Sequence, residues 1–314
     1  MSVWQPSACF NALQKRAAML AAVRAFFAER KVLEVDVPVL ARATVSDPNI
    51  ESFRVSSPVN PTQQYYLMSS PEFFMKRLLA AGSGAIYSLG HAFRAEENGS
   101  RHNIEFTLLE WYRPNWCLAQ LMTEVRELVA LFVGIPVRYS SYRQLFLDFV
   151  GIDPHTASLS ELQQIAQQRC APAFDSEERS VWLDLLFSHL VEPQLQGAVF
   201  VDEFPAAQAA LAQTTINAHG HAVAARFELY LDGIEIANAY QEEQNAGVLE
   251  SRFMADLHLR TQRGQTVPPK DEKLLAAIRA GLPACAGVAL GFDRLLMLAC
   301  HKSHIAETMA FAAD

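Results

Sequence analysis

The residues of this chain best suited to chemistry are Arg94 and Glu96, a polar Asn98-Gly99-Ser100 loop, and then Arg101, Asn103, Phe106, Glu110 and Tyr112. The segments Phe93-Arg94-Ala95-Glu96 and Arg101-His102-Asn103-Ile104-Glu105-Phe106-Thr107-Leu108-Leu109-Glu110-Trp111-Tyr112 read as two β-strands joined by that loop. Side chains alternate along a strand, so Arg94 and Glu96 are expected on one face, as are Phe106, Leu108, Glu110 and Tyr112. One surface then offers an arginine, two carboxylates, an aromatic ring and a phenol, a floor suited to a charged amino acid and a nucleotide. The plainer alternative is an ordinary hairpin with a decorated solvent face.

A second hairpin is expected over Arg226 to Asn238, turning at Asp232-Gly233. If Leu231 pairs with Ile234, Tyr230 faces Glu235 and Glu228 faces Ala237, with Glu228 and Glu235 on one side of the sheet. Two converging carboxylates can hold Mg²⁺, which prefers oxygen ligands and substrate phosphates; two solvated acids are the alternative. Simple alternation puts Asn238 and Glu242 opposite Glu235, so a shared pocket requires the strand to bulge or end near Ala239. In Ser69-Ser70-Pro71-Glu72, Pro71 suits the first turn of a helix capped by Ser70, and Glu72 lies where the helix dipole favours a carboxylate. Gly287-Val288-Ala289-Leu290-Gly291-Phe292-Asp293-Arg294-Leu295 reads as a strand entering a helix near Asp293.

The elements that must position these groups follow from periodicity. Asn11 to Arg30 is a helix candidate with Leu13, Ala17, Leu20, Val23 and Phe27 at helical spacing, followed by a strand-like Val32–Val37 that runs into Pro38. Tyr65–Met68 is a short strand. Leu118–Phe132, Ser141–Val150, Leu159–Cys170 and Val181–Leu190 are helical, and the stretch 118–195 reads as a helical insertion in which Trp182, Phe187 and His189 serve a core or interface. The 314 residues allow a sizeable core, and 51% hydrophobic with 19% charged residues is the balance of a folded globular chain. No apolar run approaches a bilayer span and no signal peptide is evident, so a cytoplasmic protein without membrane association is expected. The five scattered cysteines form no Cys-x-x-Cys pair, which fits reduced thiols. Lys+Arg is outnumbered 26 to 34, giving a net charge of −8, which argues against a grip on a long polyanion such as tRNA.

The Phe93–Tyr112 pattern resembles motif 2 of the class II aminoacyl-tRNA synthetases in the form carried by the lysine enzymes: F-R-x-E, a loop, then R-H-N-P-E-F-T-x-x-E-x-Y. Residues 11–40 resemble motif 1, 86–113 span motif 2, and 284–300 resemble motif 3. The resemblance implies an α+β fold, a class II synthetase-like antiparallel sheet flanked by helices, as a single catalytic domain over 1–314 that dimerises through motif 1. It implies ATP and Mg²⁺ as cofactors. Arg94 would orient the amino-acid carboxylate and the α-phosphate, Arg101 the γ-phosphate, and Arg294 would pack on the adenine opposite Phe106. Asn103 would sit near adenine and phosphates, Glu96 near the adenine amino group, Glu235 and Ile236 beside the nucleotide, and Gly291 where the nucleotide approaches closely. Glu228 and Glu235 would carry the metal. Ser70, Pro71 and Glu72 would meet the proximal amine; Glu110, Tyr112 and Glu242 would receive a distal ammonium, with Asn238 and Ala289 lining the same pocket.

Two features bear on the acceptor. Motif 1 starts near Asn11, so the N-terminal anticodon-binding module of lysyl-tRNA synthetases is not expected here. Phe204-Pro205-Ala206-Ala207-Gln208-Ala209-Ala210-Leu211-Ala212-Gln213 and Ala289 (glycine in those synthetases) resemble instead the elongation factor P lysine ligases, truncated paralogues of the same family. That resemblance covers the full chain and implies activation of (R)-β-lysine and transfer to a lysine side chain of elongation factor P. Ala95, Ile104 and Glu243-Gln244-Asn245 depart from the family pattern, the last beside Glu242. The alternatives are a lysyl-tRNA synthetase-like enzyme using α-lysine, an asparagine-synthetase-like ligase, which activation by aspartate would reveal, and a non-enzymatic module sensing lysine or ATP, which would bind without pyrophosphate exchange.

Overall fold

The computed structural model describes residues 4–96, 98–134 and 136–313. In chain order, α1 (Phe10–Glu29) leads to β1 (Leu33–Glu34), β2 (Leu40–Ala41), β3 (Arg54–Ser56), β4 (Gln64–Leu67) and α2 (Glu72–Ala80). Then come β5 (Ile86–Phe93), β6 (Glu105–Pro114), α3 (Leu118–Ala130), β7 (Val137–Ser141), α4 (Tyr142–Phe149), α5 (Leu159–Arg169) and α6 (Arg179–Leu186). The last part holds β8 (Ala198–Asp202), β9 (Thr214–Ile216), β10 (Ala222–Ala224), β11 (Arg226–Leu231), β12 (Ile234–Gln241), α7 (Ala246–Gln262), α8 (Glu272–Gly281), β13 (Cys285–Gly291) and α9 (Phe292–Ala299). No helix among the described residues is long and apolar enough to cross a membrane.

The scaffold is an eight-stranded sheet ordered β1-β5-β6-β13-β12-β11-β8-β7. Its six inner strands are antiparallel throughout, and only the edge strands β1 and β7 pair parallel. This is the expected α+β architecture, with a mixed rather than purely antiparallel sheet. Alternation separates its two faces. Leu109 and Trp111 on β6, Phe227 and Leu229 on β11, Ala237 and Ala239 on β12, and Val288 and Leu290 on β13 turn to the core packed by α1, α3 and α9. Glu110, Tyr112, Glu228, Asn238, Gly287 and Ala289 turn the other way.

Three expectations need correction. The strand before the polar loop ends at Phe93, and residues 95–96 form a turn, because Ala95 N–H bonds to Glu51 O instead of a strand partner (2.8 Å). The Val32–Val37 strand shrinks to Leu33–Glu34 at the sheet's edge. The stretch 118–195 divides: Leu121, Val125 and Leu128 of α3 belong to the main core, whereas α4–α6 build a second core with Trp182 and Phe187, and His189 is exposed. The three sequence motifs meet at Asp293, the buried acid at the start of α9. Its carboxylate accepts from Arg16 of α1 and from Thr107 N–H of β6 (2.5 Å).

Candidate active site

One transverse row of the sheet explains why distant segments share a surface. Glu110 pairs with Ala289, Ala289 with Asn238, and Asn238 with Glu228, so four strands place these side chains in line. The next row runs Tyr112, Gly287, Tyr240, Arg226. At about 4.8 Å per strand, Glu110 and Glu228 stand roughly 14 Å apart. Between them opens a cavity of about 420 Å³. It is lined by Arg94, Arg101, Asn103, Phe106, Glu110, Tyr112, Glu228, Glu235, Ile236, Asn238, Glu242, Ala289, Gly291 and Arg294, with Ser70 and Glu72 at one end.

The second hairpin turns at Asp232-Gly233 as its sequence demands; Asp232 and Gly233 both adopt positive φ. Its register differs from simple alternation. Tyr230 pairs with Glu235, but Leu229 pairs with Ala237 and Glu228 with Asn238, leaving Ile236 as an extra residue. The required bulge is present, three residues earlier than expected near Ala239. It turns Glu235 on one side of it, and Asn238, Tyr240 and Glu242 on the other, to a common face.

At the Glu228 end, the carboxylate accepts from Arg226 and from the Tyr230 hydroxyl. Burial raises its pKa to about 7, with Arg226 opposing and Glu235 adding to the rise. Glu235 is half-buried on the same face. Two carboxylates form a partial all-oxygen ligand set, which fits Mg²⁺ completed by phosphate oxygens. Arg294 donates to Glu235 O (2.9 Å) and Arg101 O (3.2 Å), and Arg101 reaches Gly233 O (3.4 Å). The Arg94 guanidinium lies over the Phe106 ring, 5.1 Å from its centroid. Asn103 is buried, its amide bonded to Glu105 O (2.6 Å) and Ala313 N (3.0 Å). Glu96 is exposed in the turn and lies outside the lining, because the chain leaves the sheet at Phe93. A Cβ at Gly291 would meet only the Arg294 side chain, at 3.6 Å, so the protein itself does not demand glycine there.

The other end is acidic and closed. Tyr112 OH donates to Glu110 Oε1 (2.6 Å) and Ser70 Oγ to Glu110 Oε2 (2.7 Å). Pro71 is the cap residue of α2 rather than its first residue, and Ser70 Oγ accepts from Glu72 N–H (3.0 Å). Glu110 is raised to about 8 by burial and by Glu72 and Glu242, against the lowering bonds from Tyr112 and Ser70. Asn238 Nδ2 donates to Tyr240 OH (3.1 Å), while its buried Oδ1 has no hydrogen-bond partner among the described residues. That orphaned acceptor, and the equally orphaned buried hydroxyl of Ser69, suit a ligand carrying N–H donors.

Sequence reasoning missed two residues here. Lys76 is fully buried, with Nζ 2.6 Å from Glu72 Oε1 and 2.6 Å from Glu242 Oε2. Its position four after Glu72 on α2 was a legible signal for the first contact; nothing local marks the second. Gly287 carries no local mark beyond its place in a strand, yet a Cβ there would stand 2.5 Å from Glu242 Oε1 and nearer still to the Tyr112 ring.

The family profile "tRNA synthetases class II (D, K and N)" matches residues 4–314. An elongation factor P–(R)-β-lysine ligase of Haemophilus ducreyi is 42% identical over 99% of this chain and 96% of that protein. Proteins of the same name from Mannheimia succiniciproducens and Edwardsiella ictaluri are each 44% identical, over 99% and 100% of this chain and 98% of their own lengths. With its motifs in order and aligned along almost their full length, the chain belongs to the elongation factor P–(R)-β-lysine ligases, a family built on the class II tRNA synthetase domain.

Proposed function

We propose that this protein activates (R)-β-lysine with ATP and transfers it to a lysine side chain of elongation factor P. The observation that carries the proposal is the division of one cavity into an acid-lined end, with Glu72, Glu110 and Glu242, and an end with Glu228, Glu235, Arg94, Arg101 and Arg294. The first end suits ammonium groups and the second a metal–triphosphate. The names of the relatives supply the acceptor.

In the first half-reaction, a carboxylate oxygen of the amino acid attacks the α-phosphorus in line. The new C–O–P link forms as the bond to the β-phosphate oxygen breaks, and pyrophosphate leaves with that electron pair. Mg²⁺, held through Glu228 and Glu235, would neutralise phosphate charge. The protein's own part is positioning and charge. Arg94 orients the carboxylate against the α-phosphate. Arg101 and Arg294 hold the nucleotide, with Phe106 and Gly291 beside the base. Glu110 and Tyr112 with Glu242 receive one ammonium, and Glu72 with Ser70 the other. In the second half-reaction, a neutral lysine amine of the acceptor attacks the acyl carbon. An amide forms, AMP leaves, and the nitrogen loses a proton to solvent.

We assign the enzyme as a cytoplasmic homodimer. Leu33, Val39 and Leu40, beyond α1, are exposed apolar side chains that a partner protomer would cover. Light scattering should return twice the chain mass. The activity test is ATP–pyrophosphate exchange with β-lysine favoured over α-lysine. Equal or greater exchange with α-lysine, together with efficient tRNA charging, would contradict the proposal.

A further inference from the structure

Lys76 lies one turn after Glu72 on α2 and is fully buried. Because its Nζ is 2.6 Å from both Glu72 Oε1 and Glu242 Oε2, those oxygens stand no more than two such contacts apart. A helix residue and a residue just past the end of β12 are thereby held together at the acidic end of the cavity. Burying an ammonium is strongly disfavoured unless carboxylates meet it. Burial pulls the Lys76 pKa down, and Glu242 and Glu72 raise it by more, so the group stays charged.

The titratable groups around it are Glu72 on α2, Glu110 and Tyr112 on β6, Tyr240 and Glu242 at the end of β12, and Cys285 on β13. Burial holds the phenols and the thiol neutral at ordinary pH. Charge is therefore decided by the three carboxylates and Lys76. With all of them ionised the cluster carries two net negative charges. That matches a ligand with two ammonium groups and is an excess for a ligand with one.

We infer that Lys76 is the positioning residue of the amino-acid pocket: it clamps Glu72 and Glu242 in one orientation and cancels one carboxylate charge, so that the pocket selects a diammonium ligand. This rests on the proposed lysine-type substrate. Lys76 acts through the two acids. Without its charge they repel, and Glu242 takes a proton or swings away.

Lys76→Met keeps the length and removes the charge. In ATP–pyrophosphate exchange it should raise the KM for β-lysine at least about tenfold at neutral pH and leave the KM for ATP within about twofold. Losing the cation removes what lowers the pKa of Glu242, so the pH at which the amino-acid KM levels off should move up by about one unit or more. A folded Lys76→Met protein with unchanged amino-acid KM and pH profile overturns the inference. Should the variant unfold, the wild-type enzyme decides by calorimetry. β-Lysine is titrated into enzyme loaded with a non-hydrolysable ATP analogue, in buffers of different ionisation heat. The pH is set between the values of about 7 for Glu242 and about 8 for Glu110. Release of about one proton, mainly from Glu110, is expected. Release of two or more means that Lys76 does not hold Glu242 largely ionised, and overturns the inference. Absence of exchange with any lysine in the wild type refutes the functional reading and this inference with it. Intact exchange with an unaffected Lys76→Met refutes this inference alone.

Discussion

Replacing Gly287 by alanine places one methyl group at the most crowded point of the amino-acid pocket. The new Cβ would stand 2.5 Å from Glu242 Oε1 and nearer to Cε1 of Tyr112. Neither neighbour can withdraw without loss. Tyr112 is buried and donates to Glu110, and Glu242 is buried against Lys76. Overpacking of this kind costs about 1–3 kcal/mol. Here the strain falls on the two groups assigned to the distal ammonium, so it should reappear as lost transition-state binding, roughly 5- to 150-fold in kcat/KM for the amino acid. The assay is ATP–pyrophosphate exchange with β-lysine varied at saturating ATP, alongside a thermal melt. The KM for ATP should stay within about twofold, because the new methyl meets Tyr112 and Glu242 and none of the groups assigned to the nucleotide. Gly291→Ala is the matched control. Its methyl meets only the Arg294 side chain at 3.6 Å, so folding should be unaffected and any loss should fall on ATP. A Gly287→Ala enzyme with wild-type kcat/KM for the amino acid would mean that Tyr112 and Glu242 do not form the distal-ammonium site.

Glu110 sets a pH dependence. Its pKa near 8 in the empty pocket, caused first by burial and then by Glu72, means that an ammonium must displace a proton. The amino-acid KM should therefore fall as pH rises toward 8, by up to about tenfold per pH unit, and Glu110→Gln should flatten that slope; a flat wild-type profile contradicts it. Because the folded value lies above the unfolded one, the same group favours the free fold below the unfolded value and loses that contribution as pH rises through about 8, which melts across that window should show. Glu228→Gln should cut exchange on the order of 100-fold while calorimetry still detects amino-acid binding, since it alters the phosphate end only. Arg260→Met should cost about 3 kcal/mol or more in a denaturant titration. It strands Glu51, whose carboxylate Arg260 bonds at 2.9 Å and whose carbonyl holds Ala95.

The order of the motifs and most of the cavity lining were legible because strand alternation is local. Glu110, Tyr112 and Phe106 share a face for no reason beyond their spacing. The Asp232-Gly233 turn fixed its hairpin for the same kind of reason. The bulge at Ile236 was not legible. Its need followed from Asn238 and Glu242, but nothing in Glu235-Ile236-Ala237-Asn238 marks the extra residue, and the sheet partner decides it. Glu96 lies off the strand because a tertiary contact, Ala95 to Glu51, draws the chain away after Phe93. Lys76 looked like one more residue of an amphipathic helix, since its second partner arrives from the far end of β12.

Purified elongation factor P, incubated with this protein, ATP and (R)-β-lysine and then weighed as intact protein and as peptides, gives the most direct test. A gain of one lysyl residue on a lysine side chain is expected, dependent on ATP and abolished by Arg94→Ala. An unmodified factor, under conditions where the enzyme exchanges pyrophosphate with β-lysine, would contradict it.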